Sequence, residues 1–129
     1  MLIVGLVLAA VAALIHVYIF WLESFAWTTA KTRATFGIAS EEEARIQQGL
    51  AFNQGFYNLF LAIAVVVGIV LVAAGARVAG LPLVFTGAGS MVAASLVLLL
   101  SSPDKAAAAL KQGVLPALGV IALIVALAV

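Results

Sequence analysis

The chain has 129 residues, of which 67% are hydrophobic and 9% are charged, and its formal net charge is +1. Soluble domains are about 45–50% apolar and about 25% charged, so this composition excludes an ordinary water-soluble domain and indicates an integral membrane protein. The small net charge creates no basic field that would favour nucleic acid. The absence of cysteine excludes disulfides, cysteine metal sites and a cysteine nucleophile.

Four apolar segments are each long enough to cross a bilayer, which takes about 20 mostly apolar residues. They predict membrane-spanning helices at 1–27, 47–74, 78–100 and 106–129. We therefore expect a single all-α domain over residues 1–129, folded as a four-transmembrane-helix bundle. The expected location is the cell membrane, as a multi-pass protein surrounded by lipid.

The segments between the spans carry signals for helix ends. Ser40 stands three residues before Glu43, the spacing of a capping box. This pattern predicts that the second long helix begins near Glu41 and projects from the membrane before it enters the bilayer. Ahead of the last span, Ser102 and Pro103 fit an N-cap followed by the first helical position.

The distribution of basic residues predicts the orientation. Five basic residues lie on the side of the first and third connections: Lys31, Arg33, Arg45, Lys105 and Lys111. Arg77 alone lies on the other side. Because short cytoplasmic loops are rich in Lys and Arg, both longer connections are predicted to be cytoplasmic and both termini non-cytoplasmic.

The third span contains small residues at four-residue spacing, as in Thr86, Ser90 and Ala94. Small residues at this spacing let helices approach closely in lipid, either within one chain, which the pattern favours, or at a dimerisation face. We expect a homo-oligomer because a bundle this small leaves much polar surface to share.

The first span carries two ionisable residues, His16 and Glu23. Seven residues are almost two helical turns, so both side chains point to nearly the same side and lie about 10 Å apart along the axis. They are too far apart for direct contact and need partners from elsewhere. Ionisable residues inside a membrane usually face a bundle interior or a wet cavity and are candidates for function.

The second span supplies polar partners at matching depth. Aligning the two spans from their shared end predicts Glu23 at the level of Asn53 and Gln54, and His16 at the level of Tyr57 and Asn58. The candidate ligand-binding residues are His16, Glu23, Trp27, Asn53, Gln54, Tyr57 and Asn58.

Three interpretations of this polar set remain open: a structural network, a pocket for a small or lipophilic ligand, and a proton path. In a membrane enzyme, His16 would act as acid or base and Tyr57 as proton donor, but no nucleophile, catalytic set or cofactor is identified. One histidine is a weak metal signal, and no metal site is predicted. A haem would need only one axial histidine, so His16 leaves a haem site open as a further alternative.

The stretches HVYIFWLESFAW and LAFNQGFYNLFLA resemble a bacterial family of unknown function, domain-of-unknown-function family 1304. The matching residues are His16, Tyr18, Leu22, Glu23, Trp27, Asn53, Gln54, Gly55, Tyr57 and Asn58, with Gln112 and Pro116 near the end. The resemblance covers most of the chain. It implies a small four-helix membrane protein and leaves the activity unknown.

The chain also has a looser, architectural similarity to the membrane-associated eicosanoid and glutathione metabolism proteins, which are four-helix chains that assemble as trimers. Arg45 and Asn53 match that pattern in rough position. Phe56 stands where that family has a glutamate, and Arg77 is the one arginine left on the later helices. These departures count against thiol activation, although the similarity keeps a membrane enzyme as an alternative.

Overall fold

The computed structural model describes residues 1–128, and their regular secondary structure is helical throughout. The helices are α1 (Leu2–Ser24), α2 (Ala30–Phe36), α3 (Glu41–Ala73), α4 (Arg77–Ser101) and α5 (Ala106–Ala128). A single 3-10 turn, Pro103–Lys105, leads into α5. The prediction of an all-α bundle with four long helices is confirmed.

The four long helices form a ring in which α1 packs against α3 and α5, while α4 packs against the same two helices. Each long helix is long and apolar enough to cross a membrane. Successive long helices run in opposite directions because the connections between them are short. The chain is therefore a multi-pass membrane protein by length and composition.

Side-chain size is distributed as expected for a bundle in lipid. The fully buried positions are mostly small, including Ala9, Ala12 and Ala88, whereas large apolar side chains such as Ile3 and Leu100 are exposed. Lipid tails are as apolar as leucine, so helix association in a membrane depends on close packing rather than on removing large side chains from water.

The capping box predicted for α3 is confirmed in its first half. The hydroxyl of Ser40 accepts a hydrogen bond from the backbone N–H of Glu43 at 3.0 Å. The Glu43 carboxylate accepts from the backbone N–H of Ala39 at 3.1 Å, one residue before the expected partner. Ser102 precedes the 3-10 turn without a side-chain cap hydrogen bond, and Pro103 begins that turn.

The first connection contains a helix that was not predicted. The hydroxyl of Thr29 accepts from the backbone N–H of Thr32 and starts α2, and Gly37 ends it at φ 68°, in the left-handed region that favours glycine. The first span ends at Ser24 rather than at residue 27, so the chain turns earlier and α2 folds back toward the end of the bundle.

Candidate functional site

A cavity of about 400 Å³ lies inside the bundle, beneath α2 and between all four long helices. We call it the central cavity. Its polar lining consists of His16, Glu23, Gln54, Asn58, Ser101, Lys105 and Gln112. Its apolar wall consists of Ala94, Val97, Leu98 and Ala108, and its roof of Trp27, Phe36 and Ile38. Cavities of about 300–1,000 Å³ are of the size that small-molecule ligands occupy.

Glu23 lies in the wall of the central cavity with only 7% of its surface exposed. One carboxylate oxygen, Oε2, accepts a hydrogen bond from the side-chain amide of Asn58 at 2.8 Å. The one ion pair among residues 1–128 joins Arg45 and Glu41, on the surface. Glu23 is thus held by a neutral amide and by no protein cation, and this partner lies about one turn deeper than the predicted level of Asn53 and Gln54.

His16 is almost fully buried, with 1% of its surface exposed. Its Nδ1 lies 2.9 Å from the backbone carbonyl of Ala12. A carbonyl only accepts hydrogen bonds, so Nδ1 carries a proton. Burial without a paired anion disfavours the charged ring, and in the neutral ring Nε2 is an acceptor. The helix's own carbonyl, one turn away, takes the place of the partners predicted on α3, and Nε2 has no hydrogen bond within residues 1–128.

Trp27 connects the roof of the cavity to the wall. Its indole N–H donates to the backbone carbonyl of Ala44 at 3.0 Å. Its ring also lies against Phe36, with the ring centroids 5.3 Å apart. These two contacts hold the segment after α1 against the first turns of α3, so Trp27 shapes the cavity from its roof.

Five of the seven predicted residues line the central cavity: His16, Glu23, Trp27, Gln54 and Asn58. The other two, Asn53 and Tyr57, share a face of α3 that points outward, and both are exposed. Each step along a helix turns about 100°, so Asn53 and Gln54 point in different directions, and of the two it is Gln54 that lines the cavity. The role of Asn53 and Tyr57 as ligand residues stays a prediction.

The sequence interpretation missed the contribution of the last helix. Lys105, in the turn before α5, and Gln112, on α5, also line the central cavity. A signal for them existed, because they follow the connection that lies on the same side of the membrane as the end of α1. Aligning the fourth span by depth, as was done for the second, would have found them. Within residues 1–128, no group of three or more His, Cys, Asp or Glu side chains is placed to hold a metal ion.

The family model described as "Protein of unknown function (DUF1304)" matches residues 10–124. The match covers most of the chain, including every residue that lines the central cavity, and the chain belongs to this family. Neither the curated proteins nor the solved structures contain a match to the chain.

Proposed function

We propose that this membrane protein binds a small or lipophilic ligand in the central cavity, with Glu23 as the anchor of its polar end. One observation carries the proposal. Two acceptor atoms open onto one cavity from side chains that are otherwise buried, Oε1 of Glu23 and Nε2 of His16, and neither makes a hydrogen bond with the described residues. Buried polar groups are normally satisfied, so acceptors facing a cavity point to a donor that the cavity receives.

The free atoms define the chemistry of the ligand. Both are acceptors, so the complementary group carries N–H or O–H donors. A cationic amine suits Glu23 best, because a buried carboxylate is costly unless it is paired and hydrogen-bonded. Asn58 would orient the carboxylate by holding Oε2, and Gln54 and Gln112 would add amide contacts from α3 and α5.

The packing of the other half of the bundle favours binding over conduction. There, Leu123 and Met91 are fully buried within a cluster of small core residues. Gly68 and Gly80 bring the backbones of α3 and α4 into close approach beyond that cluster. A cavity bounded on one side by close-packed helices suits a binding site that is entered and left from the same half.

The proposal includes the cell membrane as location, the cavity at the cytoplasmic end, and a homo-oligomer. The outward-facing Asn53 and Tyr57 support a second copy, because polar side chains in membrane helices usually face protein or water.

The orientation in the membrane can be tested by labelling. The chain lacks cysteine, so single cysteines at the exposed Ala34 and Ala76 can show on which side of the membrane each connection lies. A membrane-impermeant thiol reagent applied to intact cells should label Ala76→Cys and spare Ala34→Cys.

The proposed binding is tested by native mass spectrometry of gently extracted protein, with an absorbance spectrum of the same sample to detect haem. A small molecule should accompany the parent protein and be lost from Glu23→Gln. Glu42→Gln is the matched control, because Glu42 is exposed in the first turn of α3. If the parent carries nothing, or if both variants retain the molecule, the polar residues form a structural network.

A further inference from the structure

A second cavity lies beside the central one, between α1 and α5, and has a volume of about 340 Å³. We call it the side cavity. Its α1 wall consists of Ile15, Tyr18, Ile19 and Leu22. Apart from the tips of a few polar side chains at its edge, this lining is apolar, in contrast to that of the central cavity. It suits hydrocarbon rather than a polar group.

The two cavities meet at a common wall. Phe36, Leu98, Ala108 and Gln112 each line both of them. Ala108 contributes only a methyl group to this wall. A molecule with a polar head and an apolar chain could therefore occupy both cavities by passing over Ala108.

The side cavity is bordered by side chains that reach the surface of the bundle. Tyr18 is 44% exposed, and Lys111 is exposed on α5. The ammonium group of Lys31 lies 5.7 Å from the centre of the Tyr18 ring. Tyrosine and lysine are typical of the boundary between hydrocarbon and headgroups. The edge of the side cavity thus lies where a lipid-like molecule can enter from the bilayer.

We propose that the ligand is a single-chain amphiphile with an amine head, whose head lies beside Glu23 in the central cavity and whose chain fills the side cavity. This inference rests on the proposed function and adds the ligand class and its route of entry. The amine is chosen because the deepest free atoms, on Glu23 and His16, are acceptors. Lys105 lies further out, in the turn before α5, where it also lines a surface hollow with Thr35 and Asp104.

The wall that the two cavities share favours one molecule that occupies both over a bilayer lipid resting in the side cavity alone. A surrounding lipid would keep its headgroup outside, near Lys31 and Lys111, and its binding would not depend on Glu23. A single ligand makes the two cavities depend on each other. The length of the chain then affects affinity through the side cavity, and the charge of the head affects it through Glu23.

The test is a titration of n-alkylamines from butylamine to decylamine into the protein in nanodiscs at neutral pH, with empty nanodiscs as the blank. Burial of each methylene should raise affinity about fourfold until the side cavity is full. Ile15→Trp, which reaches only the side cavity, should flatten this dependence and leave butylamine unchanged. Val17→Trp is the matched control, because Val17 lies on the exposed face of the same helix.

Glu23→Gln should weaken the whole series by a common factor of about tenfold and preserve the dependence on chain length. Ala108→Leu, which thickens the common wall, is a second way to block long chains if Ile15→Trp does not fold. Loss of long-chain binding in either variant, with butylamine retained, supports the inference.

Three results would overturn the inference in distinguishable ways. If butylamine binding depends on Glu23 but Ile15→Trp and Ala108→Leu bind decylamine like the parent, the chain does not occupy the side cavity and only the further inference fails. If no amine requires Glu23, the proposed function fails as well. We do not expect fatty acids to bind in this assay. If they bind more tightly than alkylamines of equal length and do so without Glu23, the head of the ligand is an anion and the proposal of an amine head is wrong.

Discussion

The two halves of the bundle use the same small residues with opposite results. In the half near the turn between α3 and α4, a methyl group added at Gly68 would lie 2.7 Å from the carbonyl oxygen of Gly80. In the half beneath α2, Ala94 and Ala108 border a cavity of about 400 Å³. Small side chains allow close helix contact where they face each other, and they leave a cavity where they face the polar residues beneath α2. We call the half with Gly68 and Gly80 the closed half and the half with the central cavity the open half.

This difference separates stability from binding. Close packing is the main source of helix association in lipid, and the closed half contains a core cluster in which Val65, Val84 and Met91 are fully buried. The open half keeps Glu23 and His16 with unused acceptor atoms, which would lower stability if the whole bundle were built in this way. Proteins commonly accept local instability at a site that must bind, because the rest of the fold supplies the stability.

The largest expected effect is in the closed half, on replacing Gly68 with alanine. The new methyl group would meet the Gly80 carbonyl oxygen at 2.7 Å and the Val84 backbone nitrogen at 2.8 Å. Backbone atoms cannot move aside cheaply, so Gly68→Ala should lower the free energy of unfolding by about 3 kcal/mol. The measurement is unfolding in mixed micelles by SDS titration, followed by circular dichroism.

Gly49→Ala is the matched control on the same helix. A methyl group there meets nothing within 4 Å, and the better helix propensity of alanine should raise stability by up to about 1 kcal/mol. Equal effects of Gly68→Ala and Gly49→Ala would show that the closed half is not close-packed.

The second comparison places a larger side chain in each half of α4. Ala88 is fully buried in the core cluster, so Ala88→Leu should cost about 2 kcal/mol through overpacking. Ala94 faces the central cavity, so Ala94→Leu should change the unfolding free energy by less than about 0.5 kcal/mol while it reduces ligand binding. The idea of an open half fails if Ala94→Leu destabilises the protein as much as Ala88→Leu.

These comparisons show which features of the fold and of the candidate site could be predicted from the sequence. Apolar length predicted four spans, and the spacing of Ser40 and Glu43 predicted the start of α3, because both depend on local chemistry. The helix α2 was missed because seven residues give too short a pattern, and its position depends on the contact of Trp27 with Ala44. Depth alignment placed polar residues at similar levels, but it could not tell which of two neighbours on α3 faces inward, since that depends on helix rotation.

The third prediction concerns the hydrogen bond between Asn58 and Glu23 in the open half. Asn58→Leu would leave the buried carboxylate without its amide donor, so stability should fall by about 1.5 kcal/mol. Asn53→Leu, the same change on the exposed face of α3, should have little effect. Adding Glu23→Leu to Asn58→Leu should restore stability close to that of the parent, because two apolar side chains leave no unpaired group. Additive losses in the double variant would contradict this account.

The smallest effect is expected at the roof of the open half. Trp27→Phe keeps an aromatic ring against Phe36 but removes the N–H that donates to the carbonyl of Ala44, at a cost of about 1 kcal/mol or less. That carbonyl lies within α3 and can still accept from its own helix. Amide hydrogen exchange should therefore rise over residues 28–38 and stay unchanged over residues 60–72. Trp21→Phe, at an exposed tryptophan whose indole N–H makes no hydrogen bond with the described residues, should alter neither segment. Faster exchange in both segments after Trp27→Phe would mean that the two halves unfold together rather than as a stable half and a loose one.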